Sequence, residues 1–382
     1  MLKHDQFFIK KKNKQWVYDI VQAYGPITKP DIVKQTKMSP TSIGRIVSEL
    51  IEENLIKERQ HATNSVGRNA VQLELQKNAK WSIGIEIDLD IVRLGIMNLN
   101  AELVLLESYT HHTRERPEET LAFICEQINQ VIGQEQLKKE NILGIGIGIP
   151  GYVDDVNGIL IRSGQLMWKD IAVKSVIEKE TKLNVVVDNE LKMRAIAEKH
   201  ARTFEDDANI VLIGIGSGIG SAIIINGEIY RGDTNKAGEI GHTIVNPQGN
   251  LCDCGRMGCL ATYTSEKALL QQASSGLDVQ TMSELFRLYS QGNQGAVNIF
   301  DQATTYLAIA LGNVYSTFDT TSIILSGSFF QKSFEIRELM NRKMSQYMPY
   351  NHQVDIFYSD LKESGVVHGA ALVTGNAFFS LD

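Results

Sequence analysis

The chain has few cysteines and prolines and no long apolar run. Only 4 cysteines and 7 prolines occur among its 382 residues. No apolar stretch approaches the roughly 18 residues that a membrane-spanning helix needs, which argues against a transmembrane segment. The first 16 residues lack the apolar core and small-residue cleavage site of a secretory signal. We therefore expect a cytoplasmic protein that does not enter a membrane and has no disulfide framework.

The first 80 residues carry a net positive charge, unlike the rest of the chain. That segment contains 14 Lys and Arg against 8 Asp and Glu, a net charge of +6, whereas the remainder contains 24 against 37, a net charge of −13. A small basic segment before an acidic body is typical of a nucleic-acid-binding module joined to a domain with another task. Chance variation along the chain is the alternative interpretation.

Residues 14–53 carry three short helical patterns. An apolar stripe at Trp16, Val17, Ile20, Val21 and Tyr24 predicts the first helix. The second and third helices are each predicted to begin with a capping hydroxyl ahead of a first-turn proline, Thr28 with Pro30 and Ser39 with Pro40. After them, alternating apolar residues predict a strand that returns from a loop, Val71, Leu73 and Leu75. The pattern indicates a winged helix-turn-helix.

The third helix is the predicted DNA-recognition helix. Thr41, Ser42 and Arg45 occupy its early polar face, where hydroxyls and a guanidinium reach base edges or phosphates in the major groove. Arg68, near the tip of the predicted wing, is placed to enter a minor groove. A helical protein-docking module without a DNA role is the alternative.

From Trp81 onward, short β-rich runs alternate with helical stretches, and the order recurs after Ile210. This recurrence predicts a duplicated α/β body whose two lobes enclose a ligand cleft. Four glycines between residues 214 and 220 follow a strand, where backbone amides can bind an anion. Tight packing is the other explanation of those glycines.

Three of the four cysteines lie within eight residues of one another. Cys252, Cys254 and Cys259 supply three soft thiolates, and His242 lies ten positions upstream of the first. One imidazole and three thiolates form a four-ligand set that suits one structural Zn²⁺ ion per chain. Reduced cysteines in a surface turn are the alternative. Cys125, alone in a helical pattern, is expected to be buried.

These features together resemble the ROK family of repressors and sugar kinases, and within it the xylose-repressor type. The resemblance spans nearly the whole chain and rests on the winged head and five motifs: GIGIPG at 146–151, Asp188-Asn189-Glu190, IGIGSGIG at 213–220, GEIGH at 238–242 and CDCGRMGC at 252–259. It implies a winged helix-turn-helix at 1–78 and an actin-like, ribonuclease-H-like ROK domain of two lobes at 79–382. It further implies a structural zinc, a sugar site in the cleft, and homodimers or tetramers on a palindromic operator.

The chain departs from the kinases of that family at two positions. Their Asp-x-Gly-Gly-Thr phosphate loop corresponds here to 86–90, Glu-Ile-Asp-Leu-Asp, which puts side chains and negative charge where a triphosphate would lie. Their catalytic Asp corresponds to Glu190, whose extra methylene would displace the base by about 1 Å. We therefore expect a regulator and no enzyme activity. A sugar kinase with an N-terminal extension is the rival interpretation.

The expected inducer is a small carbohydrate held by Asn189, Glu190, Glu239 and His242. Ala261 stands where the family usually has a Glu that accepts hydrogen bonds from sugar hydroxyls, and Lys192 replaces its usual Asn. Loss of a charge-assisted hydrogen bond costs about 1.5–3 kcal/mol, so we expect a carbohydrate other than xylose. An orphan regulator that binds no sugar is the second alternative, and a zinc-stabilised scaffold that binds neither DNA nor sugar is the third.

Overall fold

The computed structural model describes residues 2–60, 71–202, 204–205, 207–348 and 354–379, without the side chains of residues 2–8, 60 and 376–379. The chain forms a helical head followed by a body of two α/β lobes. Within the described ranges, no helix is both long and apolar enough to cross a membrane.

The head is a winged helix. Its elements in chain order are α1 (Leu2–Tyr24), β1 (Ile27–Thr28), α2 (Lys29–Thr36), α3 (Pro40–Glu52), β2 (Ile56–Gln60) and β3 (Val71–Leu75). The three strands form an antiparallel sheet in the order β1-β3-β2. The predicted helices and returning strand are confirmed, although α1 begins at Leu2, well before the apolar stripe. Trp16 and Tyr24, expected inside that stripe, are largely exposed.

Side-chain caps fix where α2 and α3 begin. The Thr28 hydroxyl accepts a hydrogen bond from the backbone N–H of Asp31 at 3.4 Å, and the Ser39 hydroxyl accepts one from the N–H of Ser42 at 3.1 Å. Each cap satisfies an amide that the first turn leaves without a helical partner. The apolar face of α3 is thereby directed into the core of the head, where Ile43, Ile46, Val47 and Leu50 are buried.

Two lobes repeat one sheet topology. The first lobe comprises β4 (Trp81–Asp88), β5 (Ile91–Asn98), β6 (Leu103–Thr110), α4 (Pro117–Gln134), β7 (Ile142–Ile149), β8 (Tyr152–Asp154), β9 (Ile159–Ser163), β10 (Trp168–Ile171), α5 (Val173–Thr181) and β11 (Val185–Asn189). Its main sheet has the order β11-β7-β4-β5-β6, and β8, β9 and β10 form a small antiparallel sheet beside it. In the main sheet β4, β5 and β6 are antiparallel, whereas β7 and β11 join in parallel.

The second lobe follows helix α6 (Glu190–Ala201). It comprises β12 (Ile210–Ile215), β13 (Ile219–Ile225), β14 (Glu228–Ile229), α7 (Ala261–Thr264), α8 (Glu266–Ala273), α9 (Met282–Ser290), α10 (Gln294–Phe318), β15 (Ser322–Ser326), α11 (Ser328–Gln331), α12 (Phe334–Tyr347) and β16 (Asp355–Tyr358). Its sheet order, β14-β13-β12-β15-β16, repeats that of the first lobe strand for strand. The predicted duplication is confirmed.

The last helix, α13 (Gly365–Phe379), packs on the sheet of the first lobe. Its backbone comes so close that a Cβ atom on Gly84 would lie 1.9 Å from the carbonyl oxygen of Val367, and one on Gly146 would lie 1.9 Å from that of Ala370. Only glycine fits at these two sheet positions. The glycines of β4 and β7 therefore allow α13 to approach the sheet closely, whereas the isoleucines of these strands pack on the opposite face against α4.

Candidate functional site

The early face of α3 offers two exposed polar side chains. Thr41 is exposed, and the Arg45 side chain is 63% exposed, with its Nε 3.9 Å from a carboxylate oxygen of Glu49. Ser42 is half-buried, and its hydroxyl accepts a hydrogen bond from that of Ser39 at 2.9 Å, so it is less free than the sequence suggested. Arg68 lies outside the described residues.

Asn189 joins the end of β11 to the start of α6 and shapes one wall of the cleft. Its Oδ1 accepts from the N–H of Leu191 at 2.9 Å, which caps α6. Its Nδ2 donates to a carboxyl oxygen of Glu190 at 2.7 Å and to the carbonyl oxygen of Gly151 at 3.2 Å. Because β7 and β11 run parallel, their carboxyl ends meet at this edge of the sheet and bring these groups together.

Several carboxyl groups lie near Asn189. Loss of hydration, together with the nearby charges of Asp88, Glu86 and Glu239, raises the pKa of Glu190 to about 8. Loss of hydration also raises the pKa of Glu239, whose carboxylate accepts a hydrogen bond from the Tyr152 hydroxyl at 3.3 Å. Glu190 therefore keeps its proton at neutral pH and can donate a hydrogen bond to a ligand oxygen.

A buried ion-pair network links the lobes beside this site. Asp188, next to Asn189, is 2% exposed and accepts a hydrogen bond from the Arg231 guanidinium. Arg231 also lies 3.2 Å from Asp155, and Lys192 lies 3.9 Å from Asp188. Asn235 contacts the same group of side chains. The sequence predictions did not include this network, although Asp188 with Lys192 and Arg231 with Asn235 have the i, i+4 spacing of paired side chains.

The other end of the cleft is crossed by a chain of hydrogen bonds. The Ser217 hydroxyl, in the glycine loop between β12 and β13, donates to Oε1 of Gln165 at 3.0 Å, and the Gln165 amide donates to the Asp88 carboxylate. Glu86, on the same strand as Asp88, is buried against Arg93 at 2.8 Å. Side chains therefore connect the glycine loop between β12 and β13 with residues 86–90. These are the two segments in which the sequence suggested an anion site or a counterpart of the kinase phosphate loop.

The predicted metal ligands converge. The ligand atoms of His242, Cys252, Cys254 and Cys259 all lie within 4.8 Å of one another. Nδ1 of His242 is 3.5 Å from Sγ of Cys252, and Sγ of Cys254 is 3.6 Å from that of Cys259. Tetrahedral bonds of about 2.1 Å to nitrogen and 2.3 Å to sulfur separate such ligands by roughly 3.6–3.8 Å. The cluster therefore fits a tetrahedral metal ion.

The metal cluster and the cleft adjoin each other in the chain. Glu239 is followed directly by a single turn, Ile240–His242, which ends at the first of these ligands, and Ala261 begins α7 two residues after Cys259. Cys125, predicted to be buried in a helix, is buried in α4.

A sequence model of the ROK family matches residues 82–376. The chain belongs to the ROK family. It is 27% identical over 379 residues to the xylose repressor of Bacillus subtilis, with 99% of this chain and 98% of that protein covered. It is 26% identical over 330 residues to the DNA-binding transcriptional dual regulator NagC of Escherichia coli, covering 84% of this chain and 81% of NagC.

Solved structures show the same architecture. A ROK family transcriptional regulator described as a homologue of the E. coli MLC protein superimposes with a TM-score of 0.84 at 25% identity, over 97% of both chains. A ROK glucokinase from Streptomyces griseus superimposes with a TM-score of 0.67 at 22% identity, covering 78% of this chain and 99% of the kinase. The two-lobed ROK body is thus shared with kinases, whereas the regulator also matches the head.

Proposed function

We propose that this protein is a DNA-binding transcriptional repressor of carbohydrate-utilisation genes, and that a carbohydrate in the cleft lowers its operator affinity. The observation that carries the proposal is a winged helix-turn-helix packed on a ROK body. We assign the ligand contacts in the cleft of that body to Asn189, Glu190, Glu239 and His242. Amide, carboxyl and imidazole groups are the usual partners of sugar hydroxyls. The xylose repressor and NagC relatives, which match along most of the chain, support the same function.

Phosphoryl transfer fits the cleft poorly. A kinase needs an ionised base at the sugar hydroxyl and a cationic or amide-lined cradle for the phosphates. Here Glu190 retains its proton near neutral pH, and Asp88 places a carboxylate between the loops that would surround a triphosphate. Electrostatic repulsion there opposes nucleotide binding. We therefore propose that the protein is not an enzyme.

Zinc is the metal that the His/Cys cluster suits best. Three thiolates favour a soft or borderline ion, and a four-ligand tetrahedral set is typical of structural sites. In this proposal His242 binds the metal through Nδ1, which leaves Nε2 as the nitrogen available to a ligand. The metal would stiffen the turn that carries Glu239 and so fix that wall of the cleft.

We assign DNA contact to Thr41, Ser42 and Arg45 of α3, and we assign Arg68, which the sequence predicts to lie in the wing, to the phosphates or the minor groove. Two heads are needed for a palindromic operator, so we propose a homodimer or a tetramer. In such an assembly, a change of a few ångströms between heads disrupts simultaneous binding to half-sites that are set about 34 Å apart.

A gel-shift titration tests the proposed function. The probe is DNA from upstream of the protein's own gene, with random DNA as the control, and each binding reaction is repeated with a panel of sugars and sugar phosphates. We expect operator-specific binding that one carbohydrate weakens. Binding that no member of the panel alters would favour the orphan regulator. Sugar-dependent ATP consumption in a coupled assay would instead establish the kinase.

A further inference from the structure

Lys192 is an unusual side chain for the interior of the cleft region. It lies in the first turn of α6 with its side chain only 4% exposed. Its Nζ donates to the backbone carbonyl of Asn235 at 2.8 Å and also to the side-chain oxygen of Asn235. Burial removes the hydration of an ammonium group, so hydrogen bonds and an opposite charge must compensate for the lost water. Asp188, 3.9 Å away, provides the charge.

Asn235 belongs to the second lobe but is bound to the first. Its Nδ2 donates to the carbonyl oxygen of Val153 at 2.9 Å and lies 3.4 Å from Asp188. Its backbone is left-handed, with φ of 56°, a conformation that asparagine tolerates better than most residues. Lys192 and Asn235 therefore bond to each other and to fixed groups of the first lobe.

Arg231 strengthens the same link from a more open position. It pairs with Asp188 and Asp155, but its side chain is 37% exposed. Solvent and salt screen such a pair more than a buried one. Of the two cations at Asp188, Lys192 is therefore the one held in a fixed position by its surroundings.

We propose that Lys192 is a positioning residue that holds the sugar side of the cleft closed before any ligand binds, by joining Asp188 of the first lobe to Asn235 of the second. This inference deepens the proposed function and rests on it for the role of the cleft. Glu190 follows Asp188 by two residues, and Glu239 follows Asn235 by four. The clamp thus fixes the separation of the two walls, and with it the size of sugar that fits.

Hydrogen exchange of the full-length, metal-loaded protein without DNA or sugar tests the clamp. Lys192→Met removes the charge but keeps an unbranched side chain. We expect amide exchange in residues 231–240 to accelerate at least about tenfold, with strands β7 and β12 unchanged. The control is Lys139→Met, which removes a 3.0 Å bond from Nζ to the carbonyl oxygen of Thr181 within the first lobe. Unchanged exchange in 231–240, or equal acceleration throughout the body, would overturn the proposal.

Asn235→Gly provides a second variant if Lys192→Met fails to fold. Glycine adopts positive φ without strain, so the backbone is retained while the side-chain bonds to Lys192, Arg231, Val153 and Asp188 disappear. We expect faster exchange in the same segment, and a smaller effect of Lys192→Met in the Asn235→Gly background than in the wild type. Full additivity would show that the two residues act independently and would refute the clamp. Faster exchange confined to residues 231–240, together with no sugar response in any gel shift, would support the clamp and refute the proposed function.

Discussion

The side-chain amide of Gln22, in α1, donates a 2.8 Å hydrogen bond to the carbonyl oxygen of Leu99, at the turn between β5 and β6. The Tyr18 hydroxyl donates to the same oxygen at 3.2 Å, and the Leu99 side chain is buried in the core of the head. The DNA-binding head is therefore packed on the first lobe and does not hang from a free linker. Because Leu99 packs in the same core as the buried face of α3, a movement of the first lobe can displace α3.

Gln22→Ala tests this packing. Loss of the bond to Leu99 should lower the free energy of unfolding by about 0.5–1.5 kcal/mol. Urea unfolding followed by tryptophan fluorescence measures the change. Gln130→Ala, on the exposed face of α4, is the matched control and should have little effect. Equal effects of the two substitutions would contradict a specific role for the Gln22 bond.

Cys259→Ser tests the metal centre. A serine hydroxyl is a much weaker zinc ligand than a thiolate, so the zinc content should fall from about one ion per chain toward zero. Elemental analysis of purified protein measures the zinc content. The control is Cys125→Ser, because Cys125 is buried and lies outside the metal cluster. A wild-type protein that carries no metal, with freely titratable thiols, would refute the assignment.

Arg45→Ala and Arg68→Ala should differ in kind. A guanidinium that reads a base contributes about 1–3 kcal/mol of discrimination, so Arg45→Ala should weaken operator binding and relax the preference at one base pair. Arg68→Ala should weaken binding on all sequences and reduce its salt dependence. Gel shifts on operator and random DNA at several salt concentrations separate the two. Equal losses on both DNAs for Arg45→Ala would make it a phosphate contact.

Glu190→Gln should change the pH dependence of stability. The pKa of Glu190 is raised from 4.5 to about 8, so its ionisation opposes folding. Its destabilising effect is absent below pH 4.5, grows as pH rises, and is complete above pH 8. The uncharged amide removes it. We expect the variant to be more stable than the wild type at pH 8.5, by on the order of 1 kcal/mol or more, and similar at pH 4.5. The measurement is the free energy of unfolding of both proteins at each pH. The same difference between variant and wild type at pH 4.5 and pH 8.5 would contradict the raised pKa of Glu190.

Glu239→Gln and Asn189→Ala should abolish the response to the inducing sugar while leaving sugar-free DNA binding intact. Asn189→Ala removes an amide from the cleft, Glu239→Gln replaces an acceptor oxygen of the carboxylate by an NH2 donor, and neither changes α3. Ala261→Glu restores the carboxylate usual in the family and should tighten sugar binding about tenfold or more. Calorimetric titration and gel shifts with the same sugar measure the two effects. Unchanged sugar affinity in all three variants would place the ligand elsewhere.

Local patterns in the sequence predicted much of the fold. The hydroxyl caps at Thr28 and Ser39 act within a few residues, so short-range chemistry predicts them. The His242 cluster was predictable because thiolates so close together have few other uses. The bonds from Lys192 to Asn235 join residues 43 positions apart, and no local spacing indicates them. The exposure of Trp16 was also missed, because helical periodicity does not show how wide the buried face is.

Helix α13 has a consequence for synthesis of the protein. Strands β4 and β7 are made early, yet the part of their sheet that carries Gly84 and Gly146 is covered by residues 365–379. While the ribosome is still translating the second lobe, that glycine-lined face has no partner and is exposed to water. The head, whose core is contributed mostly by residues 17–73, can assemble much sooner. The nascent chain therefore carries a folded DNA-binding module while the first lobe remains open to aggregation or to chaperones.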